Sequence, residues 1–364
     1  ALPFIAACGG MLFPVIVYMS ICPPGSAGSQ GLAIPMATDI AFSLGVLSLL
    51  GSRVPLSLKI FLTAFAVVDD IGGILVIALF YSSHVSYGYI LIAALLYVLL
   101  YFIGKRGTTN KIFFLVIGVV IWYLFLQSGI HSTISGVILA FVIPAKPRLD
   151  VGKYIEHIRH TIAGFPVVES GSIVLTNEQI AKLKEVESAS DRVISPLQSL
   201  EDNLHGAVNY LILPLFAFVN AGVVFSGGGE LVGSVGMAVA AGLLFGKFAG
   251  IYFFTWLAIK IKLTPMPPGM TWKNLSGIAL LGGIGFTVSL FIANLSFGAN
   301  YPVLLNQAKF GVLSGTILSG LLGYIVLRIV LPVRKRKIII RDQSCRHIGY
   351  SSGDMPFYCI YNIR

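Results

Sequence analysis

Long apolar runs separated by short polar stretches are the main pattern of this sequence. A helix needs about 20 mostly apolar residues to cross a bilayer, and ten runs approach that length. The fifth and sixth runs are short and are separated only by residues 127–129. The pattern predicts an all-α polytopic membrane protein. About ten transmembrane helices are expected, near residues 1–21, 32–50, 60–80, 88–104, 112–126, 130–144, 204–223, 236–259, 274–297 and 309–330.

The composition supports a lipid bilayer as the surroundings of the chain. Of the 364 residues, 56% are hydrophobic and 11% are charged, whereas soluble domains have about 45–50% apolar and about 25% charged residues. A soluble interior of this size cannot bury so much apolar surface. We therefore exclude a cytosolic enzyme and a nucleic-acid-binding module. A secreted disulfide scaffold is excluded as well, because four cysteines are too few for one.

The basic residues predict how the chain is oriented in the membrane. When the ten spans alternate from an inside start, all but two of the 25 Lys and Arg residues fall in inner loops or at the inner ends. The exceptions are Lys309, at the outer edge of the last span, and Lys247, in the middle of a span. Fusing the fifth and sixth spans would break this asymmetry. The positive-inside rule therefore predicts ten spans with both chain ends cytoplasmic.

Two parts of the chain are predicted to lie outside the membrane, a cytoplasmic loop at 145–203 and a cytoplasmic tail at 332–364. The transmembrane parts are then 1–144 and 204–331. In the loop, Thr176 and Gln179 have capping-box spacing and precede an apolar stripe, which predicts a short helix. We interpret the loop as a connector at the membrane surface.

Four charged residues fall inside predicted spans, namely Asp39, Asp69, Asp70 and Lys247. Each costs about 2.5–3.5 kcal/mol at the bilayer centre on insertion scales, which favours a functional role. Asp69 and Asp70 are consecutive on one helix, so their side chains point about 100° apart and should have different partners. One of them can pair with Lys247 while the other faces a cavity. The alternative is a buried Asp–Lys pair that only ties helices together.

Two of the predicted spans contain helix-breaking residues. Pro35 removes a backbone donor, and the N-cap types Thr38 and Asp39 follow it. The second break contains Gly283 and Gly285. A broken helix at membrane depth is tolerated only where it lines a cavity or is buried in protein.

Each break lies in the middle of a three-span group, one at 1–80 and the other at 236–331. Paired interruptions of this kind predict inverted-topology repeats whose broken helices cross at mid-membrane. Two half-helix N-termini that meet there need a negative counter-charge, which Asp39 can supply.

A carboxylate pair in a cavity can couple two ion fluxes. Hard cations such as Na+ and Li+ prefer oxygen ligands, and the same oxygens can hold protons or a cation but not both. This competition is sufficient to couple a cation flux to a proton flux.

The sequence resembles the bacterial NhaA sodium/proton antiporter family from residue 1 to about residue 332. The resemblance is carried by the runs ATDIAFSLGVLSLLGSRVPLSLKIFLTAFAVVDDIGGILVIALFY (37–81), NYLILPLFAFVNAG (209–222), AAGLLFGKFAGI (240–251) and GGIGFTVSLFIANLSF (282–297). It implies an ion transporter rather than an enzyme, with no cofactor. It also implies electrogenic export of Na+ or Li+ against entering H+ at the bacterial inner membrane, for sodium and pH homeostasis.

The resemblance also implies roles for individual residues. Asp69 and Asp70 resemble the cation- and proton-binding pair, and Lys247 resembles the lysine that pairs with Asp69. Thr38 and Asp39 resemble the residues at the crossing of the broken helices. His131, Glu201 and His205 resemble positions that are tied to the pH response of the family. In that response, transport is activated at alkaline pH.

The family has two further helices before the first span, with a β-hairpin between them that supports dimerisation, and we expect this chain to lack both. A homodimer is an assembly that the resemblance implies, although the hairpin that supports it is expected to be absent. Two alternatives are an inactive, truncated antiporter and a sodium-coupled solute symporter of similar fold. A further alternative, an intramembrane aspartyl protease, is disfavoured because adjacent aspartates do not fit its GxGD motif and the sequence has none.

Overall fold

The computed structural model describes residues 1–80, 85–106, 108, 110–145, 151–163, 176–222, 232–298 and 300–331. These residues form helices and connecting loops, and no β-strand occurs among them. The predicted tail at 332–364 lies outside the described residues.

The helices follow one another along the chain with short connections. Their bounds are α1 Leu2–Ile21, α2 Ile40–Ser48, α3 Leu56–Phe80, α4 Tyr87–Lys105, α5 Lys111–Ser128, α6 Thr133–Val142, α7 Val151–Ala163, α8 Asn177–Val193, α9 Pro196–Ala207, α10 Leu213–Asn220, α11 Ser234–Ala241, α12 Lys247–Lys260, α13 Trp272–Leu281, α14 Phe286–Phe297 and α15 Pro302–Val330. Short 3-10 helices precede α2 at Ala27–Gly31 and Ile34–Met36 and follow it at Gly51–Arg53, and π-helical turns lie at Val208–Ile212 and Gly242–Gly246.

The prediction of a polytopic all-α membrane protein is confirmed. Six helical segments in the described part of the chain are long and apolar enough to cross a membrane, and two bent helix pairs raise the number to eight. The sixth predicted span is the ten-residue helix α6, and the seventh corresponds to α10 with the π-helical turn before it. Helices α5 and α6 are separate, because Gly129 ends α5 in the left-handed conformation.

Close helix packing builds a core from the first three and the last three predicted spans. Helix α1 packs along α12 and α3, while α15 packs along α11 and α13. A Cβ atom at Gly250 would meet the carbonyl oxygen of Gly9, and one at Gly311 would meet that of Gly236. The small residues therefore let the backbones approach one another, as expected for membrane helices.

Of the remaining helices, α4, α5 and α6 pack together, and α7 and α8 belong to the predicted loop at 145–203. Helices α4, α5 and α6 share an apolar cluster that includes Leu100, Phe114 and Ile121, and α9 packs on α5. In the loop, the Thr176–Gln179 capping box is present and opens α8, as predicted. Helix α7 packs against α8 and was not predicted.

Lys309 does not lie at the edge of the last span, where the sequence placed it. Helix α15 begins at Pro302, seven residues earlier, and the side chain of Lys309 is buried. Its Nζ donates to the carbonyl oxygen of Gly222 over 2.9 Å. The positive charge of Lys309 next to the carboxyl end of α10 is favourable, because the unpaired carbonyl groups at the end of a helix carry partial negative charge.

Candidate functional site: the helix crossing and its ion pair

The two interrupted spans are bent at their breaks. The 3-10 helices at 27–36 and α2 meet at 45°, and α13 and α14 meet at 44°. Pro35 lies in the second 3-10 helix, directly before the first break, and the glycine-rich residues 282–285 form the second. Both breaks therefore lie where the sequence predicted them.

The carboxylate of Asp39 caps the helices that begin after both breaks. Its Oδ1 accepts a hydrogen bond from the amide of Phe42 over 3.1 Å, which makes Asp39 the N-cap of α2. Its Oδ2 accepts from the amide of Thr287 over 3.0 Å and from the Thr287 hydroxyl over 2.6 Å. One buried negative charge thus satisfies free amides at two helix N-termini and faces the positive ends of both helix dipoles.

Further hydrogen bonds fasten the two breaks to each other. The Asp39 amide donates to the Ile284 carbonyl over 2.6 Å, and the Thr38 hydroxyl donates to the Gly282 carbonyl over 2.8 Å. The hydroxyls of Ser43 and Ser289 donate to Leu281 and Ile34 carbonyls over 3.0 and 2.7 Å. The breaks therefore place their exposed backbone groups on each other instead of in lipid.

The glycines of the second break are needed for close contact. A Cβ atom at Gly283 would meet the Leu243 carbonyl oxygen and the Ser319 hydroxyl. One at Gly285 would meet the Ser289 hydroxyl, which belongs to the crossing itself. Both positions therefore have no space for a side chain.

Asp69 and Lys247 form an ion pair inside the protein. The Lys247 Nζ lies 2.5 Å from the Asp69 Oδ2, and both side chains are completely buried. The same Nζ donates to the Thr38 hydroxyl over 2.9 Å and lies 5.6 Å from the centroid of the Phe65 ring. Thr38 thus joins the ion pair to the helix crossing.

Asp70 lies beside this pair on the neighbouring face of α3. It is partly buried, and its Oδ1 has no hydrogen-bond partner among the described residues. The same holds for the Asp69 Oδ1. With one ammonium facing two carboxylates, one negative charge is left uncompensated, and a bound proton or monovalent cation would neutralise it. Buried carboxylate oxygens without donors are costly, which favours such binding.

A wide helical turn positions Lys247. The π-helical turn Gly242–Gly246 ends directly before it, and π-turns inside α-helices often occur at functional sites. A Cβ atom at Gly246 would meet Pro14 of α1, and one at Gly242 would meet Pro35 of the first break. The glycines therefore let this turn pack against both α1 and the broken helix.

The contacts described for His131 and His205, two of the three residues that the resemblance ties to the pH response, are made away from the ion pair. His131 connects α5 to α6, its Nδ1 lies 2.9 Å from the Thr133 hydroxyl, and its ring packs edge-on against Phe291 of α14. Glu201 and His205 are exposed on α9, where His205 Nδ1 lies 2.8 Å from the Asn209 amide nitrogen.

Several residues of this site were not among the predicted site residues. Thr287 is the second residue of α14, and its position just after a helix break could have identified it, because amides there have no helical partner. Ser289 likewise follows the second break, whereas nothing in the sequence singles out the hydroxyl of Ser43 or the ring of Phe65. Their roles depend on which helices cross, which a single sequence does not specify.

Comparison with known proteins shows extensive similarity. A sequence profile of the family Na+/H+ antiporter 1 matches residues 1–327. A protein named Na(+)/H(+) antiporter NhaA from Bacteroides fragilis is 80% identical over 335 residues, which cover 92% of this chain and 77% of that protein. Proteins of the same name from Phocaeicola vulgatus and Rhodospirillum rubrum are 63% identical over 333 residues and 43% identical over 334. These cover 91% and 90% of this chain, and 74% of each relative.

Proposed function

Since the chain belongs to the Na+/H+ antiporter 1 family and Na+/H+ exchange across a membrane is its function, we propose that Asp69 and Asp70 bind the exchanged ions. Lys247 is the charge partner of Asp69 in this proposal, and Thr38, Asp39, Gly283 and Gly285 hold the crossing on which the site rests. The symporter and protease alternatives are not favoured by these relatives.

The observation that carries the proposal is the contrast between the two aspartates. Asp69 has a buried ammonium at 2.5 Å, while its neighbour Asp70 has a buried oxygen without a donor. When Na+ binds at Asp70, the oxygens of Asp69 are the nearest further ligands on the same helix. Recruiting them competes with Lys247, so cation binding and proton binding become mutually exclusive. The titration belongs to the coupled group and not to one residue.

The finer properties of the exchange follow from the same group. Li+ is a hard monovalent cation that also prefers oxygen ligands, so we include it as a second substrate. Export of the cation against entering protons, driven by the proton-motive force, maintains sodium and pH homeostasis. Exchange is electrogenic when more protons than cations move per cycle, and two carboxylates with one lysine provide more than one proton-binding group.

The proposed orientation rests on the distribution of basic residues. It places the loop 145–203, the tail 332–364 and both chain ends in the bacterial cytoplasm, with the chain in the inner membrane. The two repeats are 1–80 and 236–331, and the transmembrane parts are 1–144 and 204–331. A homodimer belongs to the same proposal, and the exposed side chains of Tyr210, Phe218 and Val219 near α10 offer an apolar surface that a second copy can cover.

Inverted membrane vesicles test the site directly. Vesicles that contain the unaltered chain are energised, and the pH gradient is followed while Na+ or Li+ is added. We expect the cation to collapse the gradient with the unaltered chain and not with Asp70→Asn. Asp202→Asn, which removes an exposed carboxyl group on α9, should behave like the unaltered chain.

The possible outcomes separate the two parts of the proposal. Full exchange by inserted Asp70→Asn would show that the cation binds elsewhere. An inserted, folded and unaltered chain that does not respond to either cation would contradict antiport by this chain as it stands.

A further inference from the structure

A cavity of about 430 Å³ opens at one end of the bundle, between the first break, α3 and α14. Its rim includes the exposed side chains of Gln30 and Asn300, whereas Ala33 on its wall is buried. Gln30 lies in the 3-10 helix Ala27–Gly31 and Asn300 in the connection between α14 and α15, and we assign both segments to the outer face of the membrane. A cavity of this size with polar groups at its rim has room for several water molecules.

One face of α3 leads from this cavity towards the aspartate pair. Phe80 and Val76 line the cavity, and Gly73 and Asp69 follow at spacings of three and four residues, so the four share one helix face. The helix rises 1.5 Å per residue, which separates Val76 from Asp69 by about 10 Å along the axis. The cavity therefore ends about two helical turns from the proposed ion site.

Gly73 leaves free space between the cavity and the aspartates. It is buried, yet no atom lies within 4 Å of the place where a Cβ atom would be. Its neighbour Gly72 is different, because a Cβ atom there would meet the side chain of Met11 on α1. Since Gly73 is three residues from Asp70 and four from Asp69, this space adjoins both carboxylates on the helix surface.

We propose that this cavity is the outer opening through which protons reach Asp70 and the exported monovalent cation leaves it, with the missing side chain of Gly73 providing the passage. The inference rests on the proposed function of the aspartate pair. Amide groups at the rim can exchange with the water ligands of a cation. The described lining residues are uncharged, so the opening holds the cation only weakly and the negative charge lies at the aspartates.

Accessibility to a water-soluble thiol reagent tests the opening without measuring transport. The full chain is used with its four native cysteines replaced by alanine, and single cysteines are introduced as Val76→Cys or Leu75→Cys. Leu75 is adjacent on α3, 49% exposed and outside the cavity lining, so it serves as the matched lipid-facing control. Ser26→Cys, in the exposed loop before Gln30, marks the side of the membrane on which the cavity opens.

A membrane-impermeant, positively charged methanethiosulfonate reagent is added to either side of the membrane. Because the reacting thiolate forms only where water reaches it, Val76→Cys should react at least about tenfold faster than Leu75→Cys. It should do so from the side that labels Ser26→Cys. If Val76→Cys and Leu75→Cys react equally slowly while the separate Ser26→Cys chain is labelled, the proposal that the cavity leads to the ion site is wrong. Labelling of Ser26→Cys from the cytoplasmic side would instead contradict the proposed orientation.

Substitutions of Gly73 by side chains of increasing size test whether the space beside it is the passage, with the exchange rate as the measurement. Gly73→Ala should keep exchange, because a Cβ atom meets nothing there, whereas Gly73→Leu should lower the exchange rate at least about tenfold by filling the space. The thermal unfolding temperature shows whether Gly73→Leu still folds. Full exchange by folded Gly73→Leu would overturn the passage, even if Val76→Cys is labelled and Asp70→Asn is inactive.

Discussion

The carboxylate of Asp39 accepts hydrogen bonds from both the amide and the hydroxyl of Thr287, although the two residues are 248 positions apart in the chain. Asp39 is at the same time the N-cap of α2. A single buried charge thus stabilises two half-helices from opposite ends of the sequence, and it needs no lysine of its own because two helix N-termini face it. This leaves Lys247 for Asp69.

We predict that Thr287→Val lowers stability while Thr287→Ser does not. Valine keeps the shape and the amide hydrogen bond but removes the hydroxyl that donates to a charged acceptor, a loss of about 1.5–3 kcal/mol. The measurement is the thermal unfolding temperature of the purified protein in detergent. An unchanged temperature for Thr287→Val would mean that the hydroxyl contributes nothing to the crossing.

A second prediction concerns the Asp69–Lys247 ion pair. Lys247→Met and Asp69→Asn each remove one partner, and the loss of one partner from a buried pair costs about 3–5 kcal/mol because a charge remains unpaired. The double variant should therefore be more stable than the sum of the single effects predicts. Thermal unfolding of all four chains completes the cycle.

The exposed ion pair Lys182–Glu185 is the control for this cycle. Its atoms are 3.2 Å apart and its side chains are 37% and 43% exposed, so its coupling should be about 1 kcal/mol or less. Equal coupling in the two cycles would show that burial does not strengthen the Asp69–Lys247 pair.

Much of the fold follows from the sequence because lipid imposes strict demands on it. Runs of apolar residues gave the spans, and the two helix breaks lie at Pro35 and at Gly282–Gly285 as predicted. The four intramembrane charges all lie at or next to the crossing. These features were predictable because each would be costly in a bilayer without a partner.

The choice of partners could not be derived from the residues alone. The 100° between Asp69 and Asp70 predicts different partners but does not decide which one meets Lys247. That choice depends on the π-helical turn before Lys247, which in turn packs against Pro14 and Pro35. Helix α7 was missed although apolar residues recur there at helical spacing and could have identified it, namely Val151, Ile155, Ile158 and Ile162.

A third prediction uses the tight contact at Gly283. Gly283→Ala places a methyl group against the Leu243 carbonyl oxygen and the Ser319 hydroxyl, and overpacking of this kind costs about 1–3 kcal/mol. Gly45→Ala is the matched control, because Gly45 is an exposed residue of α2 with nothing near its Cβ position. Alanine should there stabilise the helix by about 0.5–1 kcal/mol. The thermal unfolding temperature should therefore fall for Gly283→Ala and rise for Gly45→Ala. A change in the same direction for both variants would contradict tight packing at the crossing.

A fourth prediction tests His131 in the pH response. His131→Phe keeps an aromatic ring against Phe291, whose centroid lies 5.4 Å from that of the imidazole, but removes a group that gains charge at low pH. If charging of His131 switches exchange off as the pH falls, the variant should remain active at lower pH than the unaltered chain. The measurement is the pH dependence of Na+-induced gradient collapse, with His160→Gln on the exposed face of α7 as control. An unchanged pH midpoint in folded His131→Phe would leave packing against α14 as the contribution of this side chain.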